Sequence, residues 1–291
     1  MLKNEERIIY LKGDVRTNLN DLNIQDEVEL ICNFAAIHRE PGHERNEYYE
    51  TNLLGAENIC NWANLKGCSR IIFTSSISPY GVSEILKDED TLPIPDSPYG
   101  SSKLAAEKIH ETWKVSNNSN KLIIIRPGVV YGPGEGGNVT RMINATMKRY
   151  FFFMGNKNTK KAGIYIKELC NIMLWESKRQ NNLSFNYSLL NASMYPIPSI
   201  EDYFDAICHV AKIKRIKINL GYFTIFSISF FIKFFITPFG IGEQFDPVRI
   251  KKLVRSNLVQ PKYLNKNGYE FEFDLIKSFE DWKNINQDDW Q

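Results

Sequence analysis

Three stretches of this chain are apolar almost without interruption: VELICNFAA at 28–36, RIIFTSS at 70–76 and KLIIIRPGVVY at 121–131. A strand with one solvated face alternates apolar and polar residues, whereas a strand covered on both faces has no need to. Residues 47–66 and 99–115, which lie between these runs, return their apolar side chains every three or four positions, the period of an amphipathic helix. Parallel neighbours require a crossover that carries the chain back, and a helix supplies it. Residues 1–150 are therefore expected to be α/β, a doubly wound parallel sheet with helices on both faces, and 8–13 (IIYLKG) to be a further buried strand. After Tyr150 the pattern loosens into a short strand at FFFMG, a helix over about 167–179, a strand near 184–190 and a helix over about 199–213. These predict a smaller lobe, 151–291, interleaved with the sheet.

With 291 residues, 43% of them hydrophobic, the chain can bury a large core. Its 36 basic and 34 acidic residues leave a net charge of +2, and no basic stripe with interleaved aromatics marks a nucleic-acid surface. The five cysteines are odd in number and form no Cys-x-x-Cys pair, so reduced thiols in a cytoplasmic protein are expected. No His-x-x-x-His pair occurs, and no metal is expected. The N-terminus is charged and does not read as a secretory signal.

Residues 218–240 (INLGYFTIFSISFFIKFFITPFG) follow a basic run of Lys212, Lys214, Arg215 and Lys217 and contain one charge, Lys233. Three readings are open: core packing of the second lobe, a segment resting in a membrane interface, or a span. Lys233 disfavours the span, because it would lie well inside the bilayer.

The chemistry-bearing residues cluster around 70–103. The strand at 70–76 ends in Thr74-Ser75-Ser76, and open α/β sheets place their sites at the carboxyl ends of strands. Twenty-three residues after Ser76 comes Tyr99-Gly100-Ser101-Ser102-Lys103, and positions four apart share a helix face. A phenol titrates near ~10, too high for a base at neutral pH, but a nearby ammonium favours its ionised form. Tyr99 can then take a proton from a secondary alcohol as hydride leaves the carbon, with the Ser76 hydroxyl holding the substrate oxygen.

From Gly13 to about Tyr131 the chain resembles the NAD-dependent epimerase/dehydratase family of extended short-chain dehydrogenases/reductases. The matching pieces are Gly13-Asp14-Val15, Asn33-Phe34-Ala35-Ala36, ETNLLGAEN with Asn52, FTSSISPYG, SPYGSSK and RPGVVYGPG, in that order. The resemblance implies a Rossmann-like sheet, bound NAD and a catalytic Ser76, Tyr99 and Lys103. It sets Asp14 and Val15 at the adenine, and Phe34, Ala35, Ala36, His38 and Asn52 along the cofactor with Tyr99, Lys103 and Pro127. It also implies that 8–13 corresponds to the third strand of the fold, so that the chain as written lacks the first βαβ unit and its glycine loop. Gly132, Gly134 and Gly137 satisfy a dinucleotide fingerprint, but no acidic residue ends a strand some twenty residues later. The resemblance makes this stretch a substrate loop with Asn138 at its rim.

Dehydratases of the family carry Asp-Glu directly after the catalytic hydroxyl residue. Ile77-Ser78 stands there instead, which disfavours elimination and favours transient oxidation. The resemblance is strongest to bacterial 4-epimerases acting on UDP-linked or undecaprenyl-diphosphate-linked N-acetylhexosamines, with Lys161, Arg249 and Lys252 toward the diphosphate. A keto-sugar reductase and an inactive or binding homologue are the alternatives. A homodimer and a peripheral seat on the inner face of the plasma membrane are the partners expected.

Overall fold

The computed structural model describes residues 8–22, 24–38, 42–221 and 255–291. Arg249, Lys252 and 222–240 of the apolar run lie outside the described residues.

Among the described residues, the central sheet has four parallel strands in the order β1 (Ile31–Asn33), β2 (Arg70–Thr74), β4 (Lys121–Pro127), β8 (Tyr187–Ala192). Its register sets Ile31 opposite Ile71, Phe73 opposite Ile124 and Ile125 opposite Leu190. Successive side chains on a strand point to opposite faces. Ile71, Phe73, Leu122 and Ile124 accordingly pack beneath α2 (Gly55–Leu65) and α3 (Pro98–Ser116), with Ala63, Ala106 and Trp113. Ile72, Ile123, Ile125 and Leu190 pack on the other side against Leu169, Ile172 and Met173 of α5 (Ile166–Asn182). Burial on both faces is why these strands read as unbroken apolar runs.

The described residues also form three shorter parallel pairs: β3 (Ser83–Lys87) with β10 (Asn257–Val259), β5 (Val129–Tyr131) with β7 (Gly163–Tyr165), and β6 (Phe153–Met154) with β9 (Asn219–Leu220). The expected strand 121–131 is thus two strands. At Gly128 the chain leaves the ladder with β8 for one with β7, and a Cβ there would lie 2.6 Å from the Ala162 carbonyl oxygen. A separate aromatic core joins Tyr131, Tyr165, Tyr203 and Ile207 to Phe279, Trp282 and Trp290.

One expected strand is absent. Residues 8–13 are irregular and exposed, Ile9 at 77%, and the chain then turns at Asp14–Thr17 through a Thr17 N–H to Asp14 carbonyl bond of 3.0 Å. Apolar composition favours burial, but a strand exists only through a paired neighbour, and no described strand lies beside this run.

Candidate functional site

The carboxyl ends of β1, β2 and β4 are tied to one helix face. Helix α3 is capped by Ser97, whose hydroxyl accepts from the Gly100 N–H at 3.2 Å, with Pro98 in its first turn. Gly100 lets this first turn press on the turn after β2, since a Cβ there would lie 2.6 Å from the Ser78 carbonyl oxygen. The contact brings the start of α3, with half-buried Tyr99, against the segment that carries Ser76. Ser76 Oγ donates to Ser78 Oγ at 3.1 Å and accepts from the Ser78 N–H at 3.1 Å. The Tyr99 ring packs 6.3 Å from that of Tyr48.

One turn along α3, Lys103 is only 1% exposed; its Nζ donates to the Thr74 carbonyl at 2.7 Å and stands 4.3 Å from the Phe73 ring centroid. Burial pushes its pKa down to about 7, against the opposing pull of Glu107. Glu107, one further turn along and fully buried, accepts Arg126 Nε at 2.8 Å and Arg126 Nη2 at 2.6 Å, and Ser75 Oγ at 2.5 Å. This carboxylate raises the Arg126 pKa despite burial, and the guanidinium lies 4.7 Å from the Tyr80 ring centroid.

A neighbouring row on the same helix holds β1. His110 stacks on Phe73, with centroids 4.1 Å apart, and joins the Ala106 carbonyl through Nδ1 at 2.8 Å and Asn33 Nδ2 through Nε2 at 3.3 Å. Asn33 Oδ1 accepts from the Ala35 N–H at 3.2 Å, so the Asn33 amide nitrogen must donate to His110. The ring is therefore neutral, with its proton on Nδ1. Ser102 Oγ accepts from Asn52 Nδ2 at 2.9 Å, while Asn52 pairs with the backbone N–H and carbonyl of Ile37 at 3.0 and 3.3 Å. Asn52 occupies a π-helical turn, Glu50–Leu54, between α1 (Arg45–Tyr49) and α2; such bulges recur at functional sites.

Helix α3 thus presents Tyr99, Lys103 and Glu107 in one row and Ser102 and His110 in another, and together they fasten Asn33, Thr74, Ser75, Arg126 and Asn52. Of these fastening groups, Asn33, Ser75, Ser102, Glu107, His110 and Arg126 were not among the sequence-predicted site residues. The available signal for Glu107 was its place four residues after Lys103 on the same helix face; Asn33, Ser75 and Arg126 lie on or just after strands and carried no such signal.

Burial depresses the His110 pKa from its ordinary 6.5 to about 4. The unfolded chain binds this proton more readily than the folded one, so stability falls as pH drops from about 6.5 toward 4, by on the order of 3 kcal/mol. Urea unfolding across that window should show the slope in the wild type and lose it in His110→Gln. An unchanged slope in the variant would assign the acid sensitivity to other groups.

The remaining sequence-predicted residues are placed as follows. Phe34 is 59% exposed, Ala35 and Ala36 are half-buried, His38 is exposed and Pro127 is buried at the end of β4. Asp14 forms a 2.7 Å ion pair with Arg16, whose hydrogen bonds hold its pKa down to about 2. Val15 packs on Gly55, where a Cβ would lie 2.9 Å from Val15 Cγ2. Asn138 is exposed at the start of α4 (Asn138–Met147), accepting from Arg141 Nη2 at 2.6 Å. Lys161 is not brought to the Tyr99 row: its Nζ donates to the Arg255 carbonyl at 2.5 Å, and burial pushes its pKa down to about 8. A cleft of about 300 Å³ lined by Arg16, Asn58 and Trp62 contains none of Ser76, Tyr99 and Lys103.

The half-buried Ala35-Ala36 edge, half-buried Ser76 and Tyr99, and a buried Thr74 Oγ1 with no described hydrogen-bond partner suit the nicotinamide-ribose end of a dinucleotide. Its diphosphate finds no such fit. Among the described residues, β1 and β2 pass into Asn33–Ala36 and Thr74–Ser78 without a glycine-rich turn.

A doubly wound parallel sheet with serine, tyrosine and lysine gathered at its carboxyl edge is the architecture of the short-chain dehydrogenase/reductase class. The chain belongs to the NAD dependent epimerase/dehydratase family, whose family model matches residues 2–186. It is 29% identical over 184 residues to the N-acetyl-alpha-D-glucosaminyl-diphospho-ditrans,octacis-undecaprenol 4-epimerase of Escherichia coli O157:H7, covering 62% of this chain and 54% of that protein. It is 29% identical over 140 residues to the UDP-glucose 4-epimerase of Lacticaseibacillus casei, covering 46% of this chain and 42% of the relative. The chain therefore spans about half the length of the curated relatives it matches. The fold superposes on the UDP-glucuronic acid 4-epimerase of Bacillus cereus in complex with NAD with a TM-score of 0.75 at 18% identity, covering 100% of this chain and 84% of that structure. With the UDP-N-acetylglucosamine 4-epimerase of the same organism the TM-score is 0.71 at 16% identity, covering 94% and 82%.

Proposed function

We propose that this chain is an NAD-dependent sugar 4-epimerase acting on a diphosphate-linked hexosamine, with 1–150 on the cofactor side and 151–291 supplying most of the substrate side. The observation that carries the reading is Lys103: a buried ammonium one helical turn beyond Tyr99, held on the Thr74 carbonyl at 2.7 Å beside the strand end that leads into Ser76. NAD, when bound, would supply the acceptor and the donor for the C4 hydride. Ala35, Ala36 and Thr74 would line its nicotinamide-ribose end, with Asp14 and Val15 toward the adenine. Ser76 Oγ holds the sugar C4 oxygen, and Tyr99 Oη takes the hydroxyl proton as the C4–H bond breaks. Lys103 favours the phenolate that this requires. Tyr99 would give the proton back to the C4 oxygen once the opposite face of the 4-ketosugar is reduced, so that no net redox change remains.

An N-acetylhexosamine on a polyprenyl diphosphate is the finer form of this proposal. It is supported by the Escherichia coli relative, which aligns over 62% of this chain against 46% for the Lacticaseibacillus casei one. Lys161, Arg249 and Lys252 are proposed for the diphosphate and Asn138 for the sugar rim.

Incubation with UDP-N-acetylglucosamine and catalytic NAD tests the general reading, and the same sugar on undecaprenyl diphosphate tests the finer one. A C4 epimer in the NMR spectrum with no net NADH absorbance is expected; stoichiometric NADH would indicate a dehydrogenase. A second reading is a non-catalytic partner pairing through 47–66 and 99–115 with a second copy or an intact homologue. Calorimetric titration with NAD separates the two, because the partner reading expects no heat.

A further inference from the structure

Outside the catalytic row, one surface joins apolar exposure to uncompensated positive charge. Helix α4 stops at Lys148-Arg149, where Arg149 takes a left-handed conformation (φ 67°) and turns the chain into Tyr150–Phe153. From there the side chains alternate. Phe151 and Phe153 turn inward onto Phe204, with centroids 5.2 and 5.3 Å away, while Tyr150 is 60% exposed and Phe152 also reaches solvent.

Arg215 fastens a second segment beside this one, its Nε and Nη2 donating to the Thr146 and Met147 carbonyls at 3.1 and 3.3 Å, which caps α4. That segment exposes Ile218 and 84% of Ile216. A cleft of about 310 Å³ runs between the two. Lys148, Arg149, Lys212 and Lys214 are exposed around it and form no ion pair among the described residues, whereas nearby Glu201 and Asp205 are engaged by Lys217 at 2.6 and 2.8 Å.

We infer that this surface docks on an anionic phospholipid bilayer. Exposed aromatic and branched aliphatic side chains ringed by lysine and arginine match the headgroup boundary, where apolar groups enter and cations meet lipid phosphates. A second protein copy is a poorer occupant, because lysine is depleted in protein interfaces and the nearby acidic residues, Glu201 and Asp205, are already engaged by Lys217. The chain also runs directly from Ile218 into the apolar sequence 222–240, which has one charge, Lys233. The inference does not rest on the catalytic reading; a chain without turnover would dock equally.

The full chain should co-sediment with vesicles of phosphatidylcholine mixed with phosphatidylglycerol, far less with phosphatidylcholine alone, and less as salt rises. Lys148→Glu/Arg149→Glu/Lys214→Glu should lower the affinity at least about tenfold. Tyr150→Ser/Ile216→Ser should weaken it on the same anionic vesicles, with thermal melts confirming both folds. Wild-type sedimentation equal on the two vesicle types, or absent from both, overturns the inference, as does a charge-reversed variant that binds like wild type. A change of oligomeric mass in the variants without a change in vesicle binding would assign the surface to a second copy.

Discussion

Tyr99→Phe is expected to lower turnover by about 100- to 10,000-fold, the range that positioned acid–base groups supply. The substitution removes one oxygen and keeps the ring that packs near Tyr48, so thermal stability should change little. Binding of NAD and sugar should also persist, which places the loss in kcat rather than in KM. The split matters because Lys103 lies within the same helix face: replacing it would open a hole under Tyr99 and release the Thr74 carbonyl, mixing structural with chemical effects. Measured with a UDP-linked hexosamine and NAD, a Tyr99→Phe enzyme that kept near wild-type kcat would remove Tyr99 from proton transfer. If wild type binds NAD and the epimer never forms, the substrate is at fault; if no NAD binds, the non-catalytic reading gains.

How much of this was legible in the sequence depends on the range of the interactions. Strands covered on both faces advertise themselves locally, so Ile31–Asn33, Arg70–Thr74 and Lys121–Pro127 all fell inside predicted runs. Residues 8–13 had the same composition without a partner strand, and composition cannot report pairing. The turn at Gly128 was also hidden, because a change of partner from β8 to β7 leaves the apolar pattern intact. The shared helix face of Tyr99 and Lys103 was readable because four-residue spacing is a local signal. Their anchorage was not: Asn33 meets a histidine 77 residues away and Arg126 a glutamate 19 residues away, across separate elements. Residues placed by resemblance lie in unlike surroundings. Asn52 is buried and doubly bonded to Ile37, whereas Lys161 faces the Arg255 carbonyl.

Glu107→Ala should destabilise the fold by about 3–5 kcal/mol, because it strands a buried guanidinium without its counter-charge. Arg126 is 3% exposed and loses both of its carboxylate bonds in this variant, and the hydroxyl of buried Ser75 loses its acceptor as well. Glu107→Leu/Arg126→Met, which removes both charges and fills the space with apolar groups, should recover most of the loss, since a buried pair contributes little beyond an apolar replacement. Urea unfolding of the two variants decides it: a double variant as unstable as the single would show that the damage comes from lost packing rather than from the unpaired charge. A recovered double variant carries a second lesson. Glu107 also opposes the burial that lowers the Lys103 pKa, so its removal should push that pKa further down even where stability is restored. Turnover in the stable double variant should then fall off at lower pH than in the wild type, as Lys103 loses the charge that favours the Tyr99 phenolate. A pH–rate profile superposable on the wild type would confine Glu107 to holding the sheet together.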